Sequence, residues 1–343
     1  MNAGRWLMTG GGVLACLAGA NPALADVTIG PRFSYYFDNS NLRTSDLDGL
    51  QDARQVVDEA LTQELIDASG FDDLTLSVQD NGSASNADQV GFPMVGAMIN
   101  FGNDRDRFTL TAMYGKGETT TELVSSRQFT IEVADIGINE LSIIQTVATD
   151  KIDRIDLELT WQRRLNENFA ILAGARYERL DISGQGAITI QETDAVRSFV
   201  AETLGEEPPT RNLDGANLPT SILTSRNLET LSARVGVTAF IPFNRSAVAF
   251  FNGMVQGSYQ PNSNFNTRFF GVNDNLVREE NRTDRGELSI GPDFAVGVQF
   301  ILTDNIALDI RYRAILYFPL SGDFDFGDSR VNHGVNLGVS FRL

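Results

Sequence analysis

Ten charged residues sit at alternate positions inside stretches that are otherwise apolar or small: Arg32, Asp156, Glu158, Arg176, Glu178, Arg234, Asp293, Asp309, Arg311 and Arg313. In an extended chain successive side chains point to opposite faces, so each of these charges lies opposite an apolar row. Five carboxylates and five guanidiniums facing one interior can do two things. They can line a constriction that sorts solutes by charge and size, or they can pair, satisfy one another's hydrogen bonds and fill the space. Equal numbers of the two signs suit pairing, and both readings stand at this point.

Other chemistry is sparse. The run SGDFDFGDS offers Asp323, Asp325 and Asp328 to a divalent cation, but it lacks the twelve-residue ligand pattern of an EF-hand loop, and a solvated acidic loop is the plainer reading. His333 is the single histidine, and it falls on an apolar row, where a general base for a serine nucleophile is poorly placed. The single cysteine is Cys16, so the chain beyond it has no disulfide and no thiol chemistry. No enzyme activity, cofactor or metal is expected.

Strands must position the ten charges. The pattern is clearest from 287 to 343. There Ile306, Leu308, Ile310, Tyr312, Ala314, Leu316 and Phe318 alternate with Ala307, Asp309, Arg311, Arg313, Ile315 and Tyr317. Period two with one apolar and one charged face means a strand between an apolar medium and a polar interior. The same alternation predicts strands at 26–37, 89–101, 108–114, 154–162, 169–178, 231–241, 247–259, 287–302, 306–318 and 335–343. Short turns (GNDRDR, LNEN, PFNR, TDN) alternate with long connections at 38–88, 115–151, 181–228, 260–286 and 319–330. Leu50, Val57, Leu61 and Leu65 repeat at helical spacing within Leu47 to Ala68, and a second loop helix is expected near Glu192 to Leu204, before Gly205 and Pro208-Pro209. The β-like runs RQFTIEVADIG and LSIIQTVA read as strand extensions above a membrane.

The expected fold is therefore all-β, a closed antiparallel transmembrane β-barrel of ten strands at 26–343. Eight or twelve strands are alternatives, because the second and seventh strands alternate less regularly. Residues 1–25 have one basic residue, Arg5, an apolar middle and Ala23-Leu24-Ala25 before Asp26, which predicts a secretory signal cleaved between Ala25 and Asp26. The rival reading, lipidation of Cys16, meets Leu14 where such sites want a small residue. No later apolar run approaches the roughly 20 residues of a membrane helix. The five connections hold 32 acidic and 13 basic residues, whereas the strands and short turns of 26–343 hold 13 of each sign. All of the excess negative charge thus lies in the connections, placed outside the cell, and a nucleic-acid partner would need the opposite sign.

The alternating final strand with apolar Val335, Leu337, Val339, Phe341 and Leu343 resembles the closing strand of Gram-negative outer-membrane β-barrels, of the small porin-like and OmpA- or OmpW-type kind. In such proteins it carries the assembly signal. The resemblance implies outer-membrane lipid, lipopolysaccharide and the barrel-assembly machinery as partners, with turns in the periplasm and loops outside. It implies a narrow porin-like channel for small solutes, whose acidic vestibule would enrich cations. A non-conducting, adhesin-like barrel acting through its loops is the alternative. Strand number and long outer loops also resemble the omptin proteases, whose two acidic pairs, one with a histidine, have no evident counterpart at that spacing around His333.

Overall fold

The computed structural model describes residues 26–38, 75–87, 90–133, 136–192, 220–261, 263–271, 274–284, 286–320 and 330–343. Every regular element among them is a strand: β1 (Asp26–Asp38), β2 (Thr75–Ala87), β3 (Val90–Gly102), β4 (Asp106–Val133), β5 (Ile136–Arg164), β6 (Phe169–Glu192), β7 (Ser221–Asn244), β8 (Ala247–Gln260), β9 (Ser263–Phe270), β10 (Leu276–Asp284), β11 (Glu287–Thr303), β12 (Ile306–Pro319) and β13 (Arg330–Arg342). Ten of these close into an antiparallel barrel in the order β1, β3, β4, β5, β6, β7, β8, β11, β12, β13 and back to β1. All ten expected strands are present.

Four tight turns lie on the side where the chain enters β1 and leaves β13, and short polar side chains build each of them. Asn103 Oδ1 accepts from the amides of Arg105 and Asp106, Asn166 Oδ1 from those of Asn168 and Phe169, and Asn244 Oδ1 from that of Ser246. Thr303 Oγ1 accepts from Asn305. Such side-chain turns substitute for a backbone hydrogen bond and reverse the chain in few residues.

The outer wall is apolar and open to its surroundings, with Phe33, Val95, Leu157, Leu231, Val235, Val237, Phe251, Val255, Val296 and Tyr312 all exposed. This inverts the usual burial of a soluble protein and is what a lipid-facing wall requires. Above it runs a belt of polar contacts on the same face: Tyr114 and Lys116 with Asp153, Tyr177 with Glu229, and Arg179 with Asp181. The belt marks where the apolar medium ends. Tyr36, near the end of β1, faces inward and is buried.

About ten tilted residues cross a membrane as a strand, yet β4 to β7 are 24 to 29 residues long. The surplus forms a one-sided wall above the belt, as the two β-like runs of that connection predict. Three further strands widen it: β2 pairs with β4, and the β9–β10 hairpin joins β7 through β9. These strands were expected as loop. Both segments expected as loop helices, and Asp323, Asp325 and Asp328, lie outside the described residues, apart from Glu192, which ends β6.

A five-residue pattern occurs twice, Ile29-Gly30-Pro31-Arg32-Phe33 in β1 and Ile290-Gly291-Pro292-Asp293-Phe294 in β11. In each case the ladder to one neighbour lapses over the Gly-Pro pair, β1 to β13 and β11 to β12. Proline has no amide to donate there. A Cβ on Gly30 would lie 1.6 Å from the Val339 carbonyl oxygen and one on Gly291 would lie 2.0 Å from that of Leu316, so only glycine fits. Each pair is followed at once by a charged residue aimed into the barrel.

Candidate functional site

The ten charges expected inside the barrel all face the lumen, and the strand parity that puts them there is the parity that exposes the apolar rows. They form three layers. Three more residues join them that the sequence reading left out: Asp38 at the end of β1, Arg330 at the start of β13, and Arg154 in β5. Asp38 and Arg330 had been assigned to the outer connections. Their removal from that set is electrically neutral, so the acidic excess of the connections is unchanged.

In the outermost layer Arg176 donates from Nε and Nη2 to the two oxygens of Asp156, at 2.9 and 2.5 Å, from Nη2 to Glu178 at 2.7 Å, and from Nη1 to the Tyr317 hydroxyl at 2.7 Å. Arg154 donates to Glu178 at 2.8 Å, with its guanidinium 5.2 Å from the ring centres of both Tyr36 and Phe92. Arg330 bridges Asp38, at 2.6 Å, and Glu178. Three arginines therefore meet three carboxylates. In the middle layer Arg313 grips Asp293 through two hydrogen bonds, 2.8 and 2.6 Å, and reaches Glu158 at 2.6 Å. Arg234 also bridges Asp293, at 3.0 Å, and Glu158, so this layer is two against two. In the third, Arg32 donates to Asp309 at 2.7 Å, while Arg311 Nε comes no nearer than 3.8 Å to the same carboxylate.

Forked guanidinium–carboxylate geometry satisfies both partners at once, which is what makes such burial tolerable. A buried apolar cluster shares the lumen with these charges: Phe92, Met94, Ile152, Leu180, Ile182 and Leu228 are buried together with Tyr36 and Met113, and Tyr36 and Phe92 lie against Arg154. Toward the tight turns the lining is wetter, with Asn100, Thr109 and Gln162 only half-buried. Two small spaces are described between lumen side chains. One of about 40 Å³ lies among Thr230, Tyr317 and Arg330, and one of about 20 Å³ lies among Arg32, Arg311 and Asn336. A recess of about 660 Å³ lies elsewhere: it is a groove on the outer wall, where Ala175, Ala233 and Gly257 lie low between Leu157, Tyr177 and Leu231.

His333 sits on the outer face of β13, stacked on Phe37 with centres 5.4 Å apart and hydrogen-bonded to the Tyr312 hydroxyl at 2.9 Å. Of the terminal residues expected to carry the assembly signal, Val335, Leu337, Phe341 and Leu343 are exposed, and Val339 belongs to the same outward row. Asp26 is the first residue of β1; Ala25 and the rest of the expected signal lie outside the described residues.

A closed ten-stranded barrel with an apolar outer wall, a charged interior and tight turns on one side has the architecture of an outer-membrane β-barrel. No protein-family profile matches the sequence, and no curated protein matches it. Among solved structures it is similar to the outer-membrane protease OmpT from Escherichia coli, at 9% identity over 93% of this chain and 97% of that one, with a TM-score of 0.40. It is also similar to the translocator domain of the autotransporter NalP from Neisseria meningitidis (9% identity, 98% and 95% covered, TM-score 0.30). A third is the Pseudomonas putida toluene transporter TodX (9% identity, 96% and 91% covered, TM-score 0.26). These likenesses concern overall barrel form and assign no activity.

Proposed function

We propose that this chain is a non-conducting, non-enzymatic outer-membrane barrel of a Gram-negative bacterium, exported by the segment 1–25, whose working surface is its extracellular wall. One observation carries the reading: ion-paired layers and a buried apolar cluster pack the lumen together, and the spaces described among their side chains are only about 40 and 20 Å³. A hydrated ion would have to break charge-assisted pairs and shed its water against the apolar side chains packed among them, and such constrictions close a pore. The outward placement of His333 supports a non-catalytic role. Outer-membrane lipid, including the acyl chains of lipopolysaccharide, fits the groove beside Ala233 and Gly257. The outward row of β13 suits recognition by the barrel-assembly machinery, and the polar wall above the belt suits a partner at the cell surface.

The test is conductance of the protein in a planar bilayer under a salt gradient. Insertion without discrete current steps is the expected result. Regular steps with cation preference would reverse the reading in favour of the narrow solute channel, with Arg311, Arg313, Glu158 and Asp309 as its constriction.

A further inference from the structure

The outer two charged layers balance, three against three and two against two, but the innermost sets Arg32 and Arg311 against the single carboxylate of Asp309. Beside this pair lies the cavity of about 20 Å³. Three buried polar atoms of its lining have no hydrogen-bond partner, and all three are donors: Arg32 Nε, Arg311 Nε and Asn336 Nδ2. The Asn336 oxygen accepts from Ser34 Oγ at 2.6 Å and Tyr36 OH at 2.9 Å, which leaves Nδ2 as the unpartnered end of the amide. Two carboxylates also border the cavity, and both are engaged elsewhere. Asp156 is forked by Arg176, and Glu158 is shared by Arg234 and Arg313.

We infer that this cavity binds one small monovalent anion of chloride size. A space of this volume holds a single water-sized occupant. Water accepts from two donors and must then place two hydrogens of its own, whereas an anion accepts from all three donors. A single negative charge also cancels the local surplus, which is costly to leave in a desolvated place. The site is reached from the wetter side of the lumen, where Arg311 keeps about a fifth of its side chain exposed (20%) and Thr111 is half-buried. The layers above it close the other route.

Bromide is the probe for position, because its anomalous scattering distinguishes it from water. Crystals of the protein grown in sodium bromide are expected to show one anomalous peak in contact with Arg311 Nε, Arg32 Nε and Asn336 Nδ2. Chloride is the probe for energy. Thermal midpoints in detergent are expected to rise with sodium chloride beyond the rise in sodium gluconate at equal ionic strength, since a ligand that binds only the folded state stabilises it. Arg311→Met should lose that difference, and so should Asn336→Leu, which removes a donor without changing charge and serves where the first variant does not fold. Equal midpoints in the two salts, a cavity without an anomalous peak, or a chloride increment that survives both substitutions would each overturn the proposal.

Discussion

Asp293 offers the sharpest test of whether the lumen is a coupled, dry network. Its carboxylate is fully buried and accepts three charged hydrogen bonds, two from Arg313 and one from Arg234. Asp293→Ala leaves two guanidiniums with only Glu158 between them, and truncating one partner of a buried pair costs about 3–5 kcal/mol. Arg313→Met should cost a similar amount, because it strips Asp293 of its fork. The double variant leaves Arg234 facing Glu158, one against one, with Thr160 still accepting from Arg234 at 2.9 Å. Its loss should therefore fall short of the sum of the single losses by about 0.5–3 kcal/mol, the range of coupling between contacting residues. Urea titration in lipid vesicles measures each value by linear extrapolation. Trp161, the only tryptophan outside residues 1–25, supplies the signal. Single losses below about 1 kcal/mol, the range of exposed pairs, or additivity within about 0.3 kcal/mol, would refute the picture of a desolvated plug.

Val235, at mid-height on the outer face of β7 and 59% exposed, should tolerate leucine but lose about 2–4 kcal/mol on change to arginine, measured by the same titration; a neutral effect would take this face out of the hydrocarbon. Gly291→Val drives a Cβ into the Leu316 carbonyl and moves the strand that carries Asp293, so it should destabilise by at least about 1–3 kcal/mol, while Gly257→Ala, whose Cβ meets nothing within 4 Å, should be nearly silent. Glu279, in the β9–β10 hairpin beyond the membrane, is held below the usual carboxylate range by hydrogen bonds from Asn266 and then Arg268. A depressed folded value means that its contribution is present above the unfolded value of 4.5 and fades as pH falls through the lower folded one. Amide exchange of Ser263–Asp284 should therefore lose protection on acidification, and Glu279→Gln should remove that dependence.

The barrel was legible because lipid imposes a rule on every crossing strand. Arg311 and Arg313 alternate with Ile310 and Tyr312 for a physical reason, and the other eight charges share the inward parity of their strands. Where lipid stops, so does the rule. The β2 segment TLSVQDNGSASNA and the β10 segment LVREENRTD carry no alternating apolar row in their sequence, and they read as loop. Asp38 and Arg330 were missed for a related reason, since they sit where the alternating row runs out at a strand end. Arg154 opens the expected strand 154–162, and only its partners, Glu178 and two aromatic rings, show how deeply it is held. The repeated Ile-Gly-Pro-charge-Phe pattern was a usable signal for Arg32 and Asp293. The pairing between layers was not legible, because it joins residues such as Glu158 and Arg313, 155 positions apart.

The seam between β1 and β13 also sets the order in which the molecule can form. Phe33 pairs with Leu337 and Tyr35 with Val335, and the pair from Arg32 to Asp309 spans 277 positions. Contacts so distant along the chain form late, because their loop must be closed before any of them is made. Until β13 arrives, β1 has one unpaired edge and β12 another, and each is a template for the wrong neighbour. The first strand is thus made early and completed last, and any helper of folding would have to guard its bare edge through nearly the whole interval.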